Sequence, residues 1–160
     1  MMKKRRFSLS DFEFCDFKLI GLHSQQEPHK IAYFINLALE TNFKRVNTDL
    51  ELIINGKTIH FPIFEFFNKD WDTKSYLISN KVNVEEKVIG NSLFAIEDYL
   101  SQEFLLSDHK RVDYLLKIND DLNIFDPKLI IDRLVKMRQI SMAYTIETDA
   151  IKHPEHLILD

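Results

Sequence analysis

The chain has 160 residues, 45% of them hydrophobic, 12% aromatic and 29% charged, with a formal charge of −4. That apolar content suffices for one packed domain and excludes a chain dominated by disorder. Three Gly and four Pro exclude collagen-like and loop-dominated chains, and Gly-rich phosphate loops with them.

The charge divides unevenly. Lys3, Lys4, Arg5 and Arg6 stand at the start and leave 17 basic against 25 acidic residues, net −8, over residues 7–160. An acidic body does not suit duplex nucleic acid as a general ligand. Residues 1–7 read as a flexible basic tail. A secretory leader would need an apolar run of about 7–15 residues next. Ser8, Ser10, Asp11, Glu13 and Asp16 interrupt any such run. No apolar stretch approaches the ~20 residues of a membrane span. The expectation is a cytoplasmic protein away from membranes, folded as a single domain over 1–160. Cys15 has no second cysteine to pair with and reads as a buried thiol.

In chain order, residues 12–22 read as a central strand, apolar on both faces. Pro28 opens a helix over 28–41, with Ile31, Phe34, Ile35 and Ala38 on its buried stripe. Asn55-Gly56 between 49–54 and 57–61 is a two-residue hairpin turn. Pro62 marks the return strand as an edge or a bulge. Residues 75–78 form another strand. Residues 82–104 read as a long connection, with a short strand at 93–96. Residues 111–118 form a strong strand. Asp126-Pro127 starts a second helix with the stripe Ile130, Ile131, Leu134 and Val135, and with Lys136 and Arg138 in its last turn. Residues 140–146 give the last strand, and 148–160 a polar turn. This order predicts an α+β fold: a ferredoxin-like sandwich, mainly antiparallel, with two helices on one face and extra inserted strands.

Leu106-Ser107-Asp108-His109-Lys110-Arg111-Val112-Asp113-Tyr114 resembles the motif that names the bacterial IPExxxVDY family. Val112-Asp113-Tyr114 matches fully. Leu106, Ser107 and Asp108 stand where the family name has Ile, Pro and Glu. Asp16 to Gly21, Tyr76 to Asn80, Leu115 to Ile118 and Leu157 to Leu159 are similar in style and collinear with it. The resemblance implies a small cytoplasmic bacterial protein. It brings no catalytic residue or cofactor with it.

Read physically, Asp108, His109, Lys110, Arg111 and Asp113 are candidate binding residues. His109, Lys110 and Arg111 would supply cations, with Asp113 orienting Arg111 from the same strand face. The alternative is a solvated turn in which Asp113 caps a helix or pairs across the sheet. His153 and His156 are spaced as His-x-x-His, but no third ligand is evident, so no metal site is expected. No cofactor is expected either. Phe61, Phe64, Phe66 and Phe67 are core rings, or else a patch for a partner or a stacking platform. The leading expectation is a non-enzymatic protein-interaction module or homodimer. The alternatives are an RNA-associated factor using the basic tail and His109-Lys110-Arg111, and a small-molecule enzyme or ligand sensor.

Overall fold

The computed structural model describes residues 17–89 and 96–159. The basic tail, Cys15, residues 12–16 of the first expected strand and 93–95 of the expected short strand lie outside the described residues. The strands are β1 (Phe17–His23), β2 (Lys44–Arg45), β3 (Leu50–Ile54), β4 (Lys57–Phe61), β5 (Ile63–Asn68), β6 (Thr73–Ser79), β7 (Lys81–Ile89), β8 (Ile96–Phe104), β9 (Tyr114–Asn119) and β10 (Met142–Ile146). The helices are α1 (Pro28–Leu39) and α2 (Pro127–Leu134). Six strands form one sheet in the order β10-β1-β9-β6-β5-β2, and every pairing in it is antiparallel. β3-β4 and β7-β8 are separate two-stranded hairpins.

Each local start has a chemical cause. Pro28 and Pro127 both stand in the first turn of their helices, where a missing N–H breaks no bond. Asp126 caps α2 by accepting from the Lys128 N–H at 3.0 Å. α1 ends at Leu39 rather than 41 because Glu40 turns left-handed at φ 56°. α2 ends at Leu134, so Lys136 and Arg138 lie beyond it, and Arg133 is the cation of its last turn. Asn55 and Gly56 carry φ of 53° and 80°, the type I′ turn expected there.

The sheet buries both faces. One face holds Ile20, Leu22, Leu77, Tyr114, Leu116 and Ile118 against Ile31, Ala32 and Ile35 of α1 and Leu134 of α2. The other holds Leu19, Ile78, Leu115 and Ile146 against Ile59 and Phe61 of β4, Leu105, Leu106 and Leu157. The two helices thus pack on one face and the hairpins and loops on the other, so the apolar residues on both faces of β1 mark a central strand, as its sequence predicts.

Two expectations need correction. Residues 82–104 are not a connection: β7 and β8 pair from Lys81↔Phe104 to Ile89↔Ile96. The sign was the alternation of Val82 and Val84 with polar residues. The strong strand starts at Tyr114, not at Arg111, and both of its faces are core. Val112 packs with Leu115 rather than with Tyr114's neighbours, so the period-two pattern breaks at Asp113. Pro62 sits between β4 and β5, where the chain passes from the hairpin into the main sheet. Phe61 and Phe64 are core rings on opposite faces, Phe66 is partly buried on the helix side, and Phe67 is exposed.

Candidate functional site

Asn80 follows β6 and is fully buried. It organises residues 105–113 around itself. Its N–H donates to Asp113 O at 3.0 Å, and its carbonyl accepts from Leu105 N at 2.8 Å. Its side-chain oxygen accepts from Leu106 N at 2.8 Å. Its side-chain amide donates to His109 O at 2.9 Å and to Val112 O at 2.8 Å. Two turns, His109 N to Leu106 O and Val112 N to His109 O, fold the loop inside these bonds. Asp113 N then reaches Leu22 O at 2.9 Å and brings the loop onto β1. Gly21 makes room there. A Cβ on it would lie 2.9 Å from Ile146 Cδ1 and 3.2 Å from Val112 Cγ2.

The predicted site residues therefore share one loop but not one surface. Asp108 Oδ2 accepts from Lys152 N at 3.1 Å and lies 3.5 Å from His109 Nε2. Asp108 Oδ1 and His109 Nε2 are buried without hydrogen-bond partners. The Lys110 ammonium stands 5.6 Å from the centre of the Phe104 ring. Arg111 is exposed. Asp113 does not orient Arg111. Its Oδ1 pairs with Lys81 at 3.0 Å and its Oδ2 accepts from Ser24 N at 2.9 Å. The reason is the break in the strand pattern: Arg111 and Asp113 are not on one strand face.

Asp113, Tyr114, Ser79, Lys81, Asn83 and Gln102 help to line an open cavity of about 430 Å³ beside the start of α1. Ser79 Oγ is buried there without a partner. The Tyr114 hydroxyl donates to Gln26 O at 2.5 Å. Its pKa is pushed well above the phenol range by burial, and further by the charges of Asp113 and Glu27. On the same β9, Lys117 is buried on the hairpin side. Its Nζ donates to Leu157 O at 2.8 Å and faces the rings of Phe17 and Tyr76 at 4.9 and 5.8 Å. Burial lowers its pKa.

A second concavity lies on the helix side. An apolar groove of about 620 Å³ runs between α2 and the β5-β6 turn, floored by Phe43, Phe66, Leu116 and Ile118. Trp71 packs against Phe125 at 6.2 Å between ring centres and closes one wall. Three apolar side chains at the lining are largely exposed: Leu129 at 68%, Ile124 at 55% and Trp71 at 52%. The lining acids are Asp126 and Asp132, against Arg133. Asp70 and Asp72 bracket Trp71 in its turn, with Lys69 beside them.

Sequence reasoning missed Asn80 as the organiser, and a lone Asn after a strand carries no signal of that role. It missed Lys81 as the partner of Asp113. It missed the groove too, although Trp71 between two aspartates was a visible oddity. Among the described residues no helix is long and apolar enough to cross a membrane. No family model, curated protein or solved structure matches the chain.

Proposed function

We propose that the chain is a non-enzymatic binding module whose working surface is the groove on the helix side, and that its occupant is an amphipathic protein segment with apolar anchors and a cationic flank. The observation that carries this reading is the exposure of Leu129, Ile124 and Trp71 beside a floor of buried Phe43, Leu116 and Ile118 and partly buried Phe66. Apolar side chains gathered at the rim of a cleft mark a binding surface rather than a packed core. The cationic flank follows from charge: among the lining residues Asp126 and Asp132 outnumber Arg133.

The test is selection of peptides from a random display library on the full chain. The expected winners carry aromatic or leucine anchors next to Lys or Arg. Their binding weakens with salt and falls at least about tenfold in Leu129→Glu, an exposed position whose change leaves the core intact. Winners indifferent to Leu129→Glu, or none at all, overturn the proposal. A dimer in light scattering that Leu129→Glu dissolves makes a second copy the occupant and overturns it as well.

We also propose membership in the IPExxxVDY family and a ferredoxin-like topology. Supporting the first, both halves of the motif converge on Asn80, through Leu106 N and Val112 O. Supporting the second, β1-α1-β6 and β9-α2-β10 are two split strand–helix–strand units, interleaved as β10-β1-β9-β6. β2 to β5 and the β7-β8 hairpin are then insertions.

A further inference from the structure

The C-terminal segment carries a second cluster, on the hairpin side and independent of the groove. His153, Glu155 and His156 each bring one ligand atom to within 4.8 Å of the others. The two imidazoles stack at 5.1 Å between centres and 19° between planes. His153 Nδ1 lies 3.0 Å from Glu155 Oε1.

The backbone that presents them is held in place. Pro154 opens the 3₁₀ turn Pro154–Leu157, and Leu157 is buried behind it. Ahead of the turn, Ile151 is buried and Lys152 N is tied to Asp108 Oδ2 at 3.1 Å. His156 is oriented in a way that matters for ligation. Its Nδ1 sits 3.0 Å from Leu105 O, and a carbonyl only accepts, so Nδ1 carries the proton. The Nε2 lone pair is left free. A carbonyl fixing the second ring nitrogen is the usual arrangement behind a metal-bound histidine.

We propose that His153, Glu155 and His156 bind a divalent transition-metal ion of the zinc class. Two imidazoles and a carboxylate suit zinc, cobalt, nickel and copper, and not calcium or magnesium, which prefer all-oxygen shells. Three protein ligands leave the fourth tetrahedral position to solvent. Ligand atoms in such a site lie about 3.4 Å apart, given metal–nitrogen bonds of about 2.0–2.1 Å. The cluster therefore contracts on binding. His153 and Glu155 are exposed and free to rotate inward, while His156 stays on Leu105 O. The ion would stiffen the C-terminal turn, which His156 Nδ1 already ties to Leu105 O.

Titration of the full chain with Zn²⁺, and with Co²⁺ followed by its visible absorption, tests this. The expected result is one ion per chain at micromolar affinity, a tetrahedral Co²⁺ spectrum, and a melting temperature raised by Zn²⁺. His153→Gln should weaken binding at least about tenfold and abolish the Zn²⁺ shift. Its side chain is exposed, so loss of folding does not confound it. His156→Gln should do the same and also loosen the turn without metal. No binding below about 0.1 mM Zn²⁺, or binding indifferent to His153→Gln, overturns the proposal.

Discussion

Replacing Asn80 by Ala should unfasten the 105–113 loop. The side chain is fully buried and makes three hydrogen bonds to backbone groups. Its loss leaves the Leu106 N–H and the Val112 carbonyl without those partners, whereas His109 O keeps its bond from Val112 N. A buried backbone group stripped of its partner costs about 1–3 kcal/mol. The sum is about 4 kcal/mol, a large fraction of the roughly 5–15 kcal/mol that holds a domain folded. For a chain of this size that lowers the melting temperature by about 8–16 °C. Asn80→Asp should cost at least as much. It keeps the acceptor for Leu106 N but turns a carboxylate oxygen toward the carbonyls of His109 and Val112. Urea denaturation gives the free energy, and hydrogen exchange at the Leu106 amide locates the lesion. A loss below about 1 kcal/mol, or unchanged protection at Leu106, would refute the assignment of Asn80 as the organiser.

Two further predictions concern pH, and they run in opposite directions. Tyr114→Phe removes the bond to Gln26 O and should cost about 1 kcal/mol at neutral pH. Tyr114's folded pKa lies above the ordinary phenol value, so the unfolded chain loses that proton first, and wild-type stability falls as pH rises past 10. Tyr114→Phe should show less of this fall between pH 10 and 11 in melting scans, and an equal fall in both proteins would contradict the buried phenol. Lys117 behaves conversely. Its folded pKa is lowered by burial, so the unfolded chain holds the proton longer, and this group adds stability as pH rises through the folded value toward 10.5. The stability of wild type relative to Lys117→Met should therefore climb over that window, and a difference constant with pH would mean that the ammonium is not desolvated.

Local chemistry was legible and long-range closure was not. Pro28, Asp126-Pro127 and Asn55-Gly56 each act on their own neighbours, so their helices and turn could be read directly from residue type. The central position of β1 was readable because burial on both faces leaves apolar residues at odd and even positions alike. The same logic failed at 111–113. Arg111, Val112 and Asp113 alternate like a strand, but Asn80, about thirty residues earlier, holds them in turns. β7 escaped notice because Glu85 to Lys87 mask the alternation of Val82 and Val84. The tail was underread for a different reason. Ile151, just after the 3₁₀ turn Thr148–Ala150, and Leu157, within the turn Pro154–Leu157, complete the hairpin-side core, and such short turns carry no periodic pattern.

The candidate binding loop and the groove occupy opposite faces of the sheet, and their chemistry differs accordingly. In the loop, many backbone groups are engaged within the protein, while Asp108 Oδ1 and His109 Nε2 are buried without hydrogen-bond partners. Both oxygens of Asp113 are bonded, to Lys81 and Ser24, and Asp108 Oδ2 holds Lys152 N. Arg111 and the Lys110 head remain toward solvent, and Lys110 leans on Phe104. These bonds tie β1, β6, β9 and the C-terminal segment together at one point. The groove has the opposite character. Its floor is packed, but Leu129, Ile124 and Trp71 at its lining remain unburied. Exposed apolar surface gathered at one concavity is the feature on which the proposed peptide site rests. Exposed apolar side chains also occur on the hairpin side, at Ile53, Leu100 and Ile158, but at the groove they rim a concavity floored by Phe43, Leu116 and Ile118, which is the ground on which we propose recognition there.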